Sequence, residues 1–272
     1  MRKMMKTNLL LKRLSFPKEL ITLLRANPHG LTEKDFNIFS KKMRTPKDYE
    51  IHSNELSKAL KPDPYGYKIL NVLLEIACKT YEDYQEKGVN EEIFNQTQKC
   101  FLRFACEYKE SYGIYGFDTA FWVGRQLSMK LFRLGELEYE MVDLDGKNAI
   151  SIHIPSDAIL TDEKIDLSLR QAKEFFATFY PEYDKVTYFC FSWLLSPVLK
   201  DMLPPTSKIL KFASRFDVTR YDENLEDYKL WVFKNNQLKP ENFPENTSLQ
   251  RNLKKHVLNN GKVGVAFGVL IR

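Results

Sequence analysis

The residues best suited to acid-base chemistry sit in the stretch GELEYEMVDLDGKNAISIHIP, residues 135–155. Leu137, Tyr139 and Met141 alternate with Glu136, Glu138 and Glu140, and Ile150, Ile152 and Ile154 alternate with Ser151 and His153. This is the period-two pattern of half-buried strands. Asp145-Gly146 between them is the strongest short-range hairpin signal. If those two residues form a type I′ turn, Leu144 pairs with Lys147, Glu138 falls opposite His153, and Glu140 falls opposite Ser151. Directly opposed side chains have Cβ atoms roughly 4.5–5.5 Å apart. The spacing therefore predicts a carboxylate beside an imidazole, a pairing that favours the charged ring and suits it to take a proton from an attacking group. The plainer reading of the same face is the wet side of a hairpin with a surface ion pair.

A second dense segment is TYFCFSWLLSPVLKDML, residues 187–203. On a strand, Tyr188, Cys190 and Ser192 share one face, and Phe189, Phe191 and Trp193 the other. Ser196 is a good N-cap and Pro197 suits a first helical position, so a helix is expected there. A strand running into a helix start leaves backbone amides to meet an anion. Cys190 is a conceivable nucleophile, but no histidine lies near it in sequence and a buried small hydrophobe is the simpler reading. Ser192 lacks the GxSxG elbow, and Trp193 reads first as a core anchor. Arg125 and Arg133, two turns apart on an expected helix, could face a phosphate. No Walker loop, GxGxxG, HExxH or kinase signature occurs.

The elements that must position these groups change character along the chain. The first half reads as helices near 17–26, 32–42, 46–60, 66–87, 91–110 and 118–134. In the fourth, Leu70, Leu73, Leu74, Ala77, Tyr81 and Tyr84 share a face and Gly88 supplies the stop. In the fifth, Ile93, Thr97, Cys100, Phe101, Phe104 and Tyr108 do the same. After Gly135 come the hairpin, a helix 163–180 with Ile165, Leu169, Ala172, Phe176 and Phe179 inward, a strand 186–193 and a short helix 197–203. Strands 208–218 and 229–234, a helix 247–259 and a strand 263–271 complete the series. A block of helices followed by mixed elements implies an α+β chain with a helical N-terminal domain, 1–134, packed on a mixed-sheet domain, 135–272.

The 272 residues are 43% hydrophobic, with 41 basic and 36 acidic residues giving a net charge of +5. Opposite charges are interspersed, so the excess fits a phosphate-bearing ligand without pointing to nucleic acid. In MRKMMKTNLLLKRL the apolar run Leu9–Leu11 is too short for a secretion signal or a membrane span. Cys78, Cys100, Cys106 and Cys190 show neither CxxC nor zinc spacing. Reduced thiols in a cytoplasmic protein, with no metal, are the simplest expectation.

Several longer segments resemble a known family. RLGELEYE (133–140), IHIP (152–155), SLRQAKEFFATFYPEY (168–183), CFSWLLSPVLKDMLPPTSKILKFASRF (190–216) and LQRNLKKHVLNNGKVGVAFG (249–268) are similar to bacterial acyltransferase-domain proteins with a helical N-terminal domain and a GNAT-like, that is N-acetyltransferase-like, C-terminal domain. The resemblance implies transfer of an acyl group from acetyl-CoA or another acyl-CoA to a small-molecule or peptide amine. It implies direct attack, without a covalent enzyme intermediate. His153 supported by Glu138 is then the candidate base, with Glu140 a lesser one, and Tyr188 or Ser192 would protonate the departing thiolate. Trp193, Ser196, Val198 and Leu199, with Arg125 and Arg133, form the candidate CoA-binding set. The family pattern Cys-His-Ser-Trp-Leu-Leu-Asp-Pro stands here as Cys190, Phe191, Ser192, Trp193, Leu194, Leu195, Ser196, Pro197. Ser196 for Asp is mild, since both are favoured N-caps. Phe191 for His loses a titratable ring, and the glycine-containing pyrophosphate cradle of ordinary GNAT enzymes is not found in the sequence. These departures leave open a catalytically inactive GNAT-like protein that binds a ligand or partner.

Overall fold

The helical periodicity of the first half is realised in a first unit, Met1–Arg133, and the mixed region in a second, Leu134–Arg272. The computed structural model describes residues 5–235 and 237–271. Residues 1–4 of the basic N-terminal segment lie outside the described residues, while Leu9–Leu11 falls in the first helix.

The first unit comprises α1 (Thr7–Arg13), α2 (Lys18–Ala26), α3 (Glu33–Met43), α4 (Tyr49–Ala59), α5 (Tyr67–Lys87), α6 (Glu91–Gln98), α7 (Cys100–Tyr112) and α8 (Ala120–Leu127). The expected face of α5 is the one that is buried: Leu70, Leu73, Leu74, Ala77, Tyr81 and Tyr84 are all in the core. Gly88 ends the helix in the left-handed region at φ +74°, where a glycine costs least. The single helix expected over 91–110 is divided at Lys99, and Phe94 rather than Ile93 turns inward. Asn90 starts α6 by accepting from the Glu92 amide at 2.7 Å.

The expected helix 118–134 is shorter. It stops at Leu127, Met129 takes a left-handed φ of +55°, and Leu131–Leu134 forms strand β1, buried along its length. Arg133 is therefore a strand residue and does not stack two turns beyond Arg125. The run Leu131-Phe132-Arg133-Leu134 is too short for its period to decide between helix and strand.

In the second part of the chain β2 (Leu137–Leu144) and β3 (Lys147–His153) make the hairpin, followed by α9 (Asp162–Phe179), β4 (Thr187–Ser192), α10 (Leu199–Met202), α11 (Lys208–Ala213), β5 (Phe216–Asp222), α12 (Asp227–Phe233), α13 (Ser248–Leu258) and β6 (Val265–Leu270). The sheet order is β1-β2-β3-β4-β6-β5. The β3–β4 pair is parallel, with α9 as the crossover, and the β2–β3, β4–β6 and β5–β6 pairs are antiparallel. Two expected strands are corrected. Residues 208–213 are helical, capped by Ser207, with the strand beginning only at Phe216, and residues 227–233 form α12 rather than a strand. Both runs are short and apolar, and burial of Phe212, Tyr228 and Phe233 overrides the strand preference of their aromatic and branched residues.

Helix α9 buries Ile165, Ser168, Ala172, Phe175 and Phe176, with Leu169 and Phe179 only partly covered. Ser168 is the polar pin of this packing. Its hydroxyl donates to the Leu134 carbonyl, and its oxygen accepts from the Leu137 amide at 3.2 Å and from the Tyr139 hydroxyl at 2.9 Å. All four groups are buried, so each depends on the others for a partner.

Candidate active site

The hairpin register is the one the Asp-Gly turn demands. Asp145 and Gly146 have φ of +53° and +79°, both positive as a type I′ turn requires, and the Gly146 amide donates to Asp143 Oδ1 at 2.8 Å. Glu138 pairs with His153 and Glu140 with Ser151. A close polar contact is also made on the diagonal. His153 Nε2 lies 2.9 Å from Glu140 Oε2, with the two side chains 22% and 13% exposed. Diagonal neighbours across a sheet remain within reach of long side chains, and Glu140 uses that reach, whereas Glu138 is buried at 2% exposure. Sequence alternation located the three groups on one face; the diagonal reach of Glu140 depends on a rotamer that alternation does not encode.

The parallel β3–β4 pairing runs through Ala149–Thr187, Ile150–Tyr188 and Ser151–Phe189 and then stops, although β3 continues to His153 and β4 to Ser192. The strands part at their carboxyl ends, the end of an open sheet at which ligands enter. Counting two residues on from Ser151–Phe189 brings His153 and Phe191 level, on the same face of the sheet. Phe191 is 49% exposed there. Tyr188, Cys190 and Ser192 point to the opposite face. Tyr188 is packed edge-on against Tyr139 and Phe176, and burial drives its phenol far above the ordinary range. Ser192 accepts from the Leu194 amide at 3.1 Å. The structure thus brings Glu138, Glu140 and His153 together and sets Tyr188 and Ser192 apart from them.

Comparison with known proteins bears directly on this arrangement. Residues 131–270 match the GNAT-like C-terminal domain family, and residues 5–129 match the N-acyltransferase N-terminal domain. The chain belongs to this acyltransferase family. Among solved structures, an acyltransferase in complex with decanoyl-CoA and teicoplanin aligns with a TM-score of 0.79 at 21% identity, covering 97% of this chain and 87% of that one. An acyltransferase mutant in complex with octanoyl-CoA gives 0.81 at 20% identity, with the same coverages of 97% and 87%. An acyltransferase in complex with decanoyl-CoA gives 0.65 at 18% identity, covering 98% and 99%. These likenesses concern the fold. A comparison with curated proteins found no match.

The residues expected to hold CoA lie on several elements of the two domains. Ser196 does not cap a helix: its hydroxyl donates to the Val263 carbonyl, and α10 begins at Leu199 with Val198 as its uncapped N-cap. The amides of Ser196, Leu199, Lys200 and Asp201 bond to carbonyls within the same turn, at 2.9, 3.2, 3.2 and 3.1 Å. Those four amides are thus engaged within the turn itself. Trp193 and Leu199 belong to a core cluster with Tyr228, Phe233, Phe243 and Leu253. Arg125 folds back on its own helix, donating to the Phe121 carbonyl at 3.3 Å with its guanidinium 4.4 Å from the Trp122 ring centre, while Arg133 is buried on β1. Cys190 is wholly buried and desolvation pushes its thiol pKa up, which disfavours the thiolate a nucleophile needs. No group of three or more His, Cys, Asp or Glu among the described residues is placed to hold a metal ion, and no described helix is long and apolar enough to cross a membrane.

Proposed function

We propose that the protein is an acyl-CoA-dependent N-acyltransferase that moves an acyl group from CoA to an amine acceptor by direct attack where β3 and β4 part. The observation that carries this reading is the Glu140–His153 pair at the end of β3, immediately past the last paired residues of the parallel strands. An amine must lose a proton to attack a thioester. In this reading His153 accepts that proton and Glu140 holds the resulting imidazolium. The new C–N bond forms as the C–S bond breaks, and the departing CoA thiolate is protonated by the imidazolium or by water. The buried, protonated Cys190 fits a route without an acyl-enzyme.

The solved relatives that share the fold bind octanoyl-CoA, decanoyl-CoA and, in one case, teicoplanin together with decanoyl-CoA. Medium-chain acyl-CoAs accordingly join acetyl-CoA as donors to test, with small-molecule and peptide amines as acceptors. Incubating the purified protein with acetyl-, octanoyl- and decanoyl-CoA and an amine panel, and following free CoA release beside the melting temperature, tests the reading. Amine-dependent CoA release supports it. A rise in melting temperature without release favours the silent binding module that Phe191 suggests, and no response to any acyl-CoA removes the enzyme reading.

A further inference from the structure

His153 is one member of a row that crosses five strands on a single sheet face. Glu138 pairs with His153, His153 stands level with Phe191, Phe191 pairs with Phe267, and Phe267 pairs with Arg220. The far end of the row is cationic. The Arg220 guanidinium lies 4.2 Å from the Phe267 ring centre, and Phe267 is itself stacked on Phe189 with ring centres 4.9 Å apart. Asp217 and Asp222 occupy the same exposed strand, yet among the described residues Arg220 rests on the ring and makes no ion pair with either carboxylate. The row thus runs from the Glu140–His153 pair, over a half-exposed aromatic surface, to a positive charge resting on an aromatic ring.

Building on the N-acyltransferase reading, we propose that Phe191 and Arg220 select the acceptor: an amine whose body carries a flat apolar group and whose far end carries a carboxylate. The amine meets His153, the flat group lies on Phe191, and the carboxylate meets Arg220. Neighbouring paired strands are about 4.8 Å apart and β3 and β4 have parted at this level, so the three steps from β3 to β5 span at least about 14 Å. Four extended peptide residues cover about the same length. A planar guanidinium presents paired donors that match a carboxylate, and an exposed phenylalanine ring prefers a flat apolar face to water.

The test uses the full-length protein, octanoyl-CoA and three tetrapeptides: Gly-Phe-Phe-Gly as the free acid, its C-terminal amide, and Gly-Ala-Ala-Gly as the free acid. The expected kcat/KM for the first exceeds that for each of the others about tenfold, mainly through KM, as uniform binding requires. Arg220→Gln should bring the free acid down to the level of the amide, and Phe191→Ala should bring the Phe peptide down to the Ala peptide. If Arg220→Gln leaves the acid-to-amide ratio intact, or Phe191→Ala leaves the Phe-to-Ala ratio intact, the proposal is overturned. Calorimetric titration of the same peptides separates this from the transfer reading. Arg220-dependent binding of the free acid without CoA release would uphold the row as a binding site and sink amine transfer. No preference for the free acid in either assay would sink the row whatever the enzyme does with other amines.

Discussion

Replacing Glu140 by Gln removes the negative charge 2.9 Å from His153 Nε2 while keeping a group able to hydrogen-bond the ring. Two unit charges 2.9 Å apart would interact by about 6 kcal/mol at an effective dielectric of 20, which sets a ceiling. Both side chains keep some contact with solvent, 22% and 13%, so screening lowers that figure. The neutral amide also retains a hydrogen bond, and the difference between charged and neutral hydrogen bonds is about 1–1.5 kcal/mol. The expected loss in kcat/KM is therefore roughly tenfold. His153→Ala, which removes the base itself, should cost on the order of 10²–10⁴. A double-mutant cycle decides how the two act. If Glu140 works through His153, adding Glu140→Gln to His153→Ala changes nothing further, because the imidazolium it stabilises no longer exists. Steady-state CoA release under saturating octanoyl-CoA gives all four rates, and thermal melting checks that each variant is folded. A wild-type rate in Glu140→Gln, or a further tenfold loss in the double variant, would refute the dyad.

Three more outcomes follow from the packing of this fold. Ser168→Ala strands the Leu137 amide, the Leu134 carbonyl and the Tyr139 hydroxyl in a buried site, and should cost about 2–4 kcal/mol in urea unfolding, with Tyr139→Phe costing only about 1 kcal/mol. Equal losses in the two variants would show that Ser168 is not the hub. Gly146→Ala meets no neighbour within 4 Å but must adopt φ +79°, so it should lower stability by about 1 kcal/mol through backbone strain alone, read from the urea midpoint. In native protein at neutral pH, iodoacetamide should label the partly exposed Cys106 well before Cys190, whose thiol is fully buried and held protonated; mass spectrometry of tryptic peptides showing early Cys190 labelling would contradict the burial.

How far the sequence was legible depended on whether a local rule had a single geometric solution. Asp145-Gly146 has one: two positive φ angles fix the turn, the turn fixes the register, and the register puts Glu138, Glu140, Ser151 and His153 on one face. The face of α5 was equally open to reading, because a long apolar stripe has one way to be buried. Short runs carried no such constraint. Residues 131–134, 208–213 and 227–233 each hold about one helical turn or one strand's length of apolar residues, and packing decided their form. Ser196 failed for a related reason. A serine before a proline fits a helix cap, but a buried hydroxyl takes whichever carbonyl is nearest, and here that is Val263, far away in sequence.

The same distinction explains why the site needed the structure to be completed. Alternation along a strand reports which face a residue shares with its neighbours on that strand, but not what stands level with it on a strand thirty residues later. The level of His153 with Phe191 follows from the parallel register set across α9, and the continuation to Arg220 follows from β6 inserting between β4 and β5. Phe191 thus changes meaning. In the linear chain it marks the loss of a histidine; in the sheet it stands between the Glu140–His153 pair and the cationic end of the row, half exposed at the point where the strands part. If His153 is the base, as proposed, a titratable ring there would duplicate it, whereas an apolar ring would give an acceptor a surface to rest on. On the proposed reading the substitution is compatible with catalysis by His153, and its consequence would fall on which amine is held rather than on whether the proton can be taken.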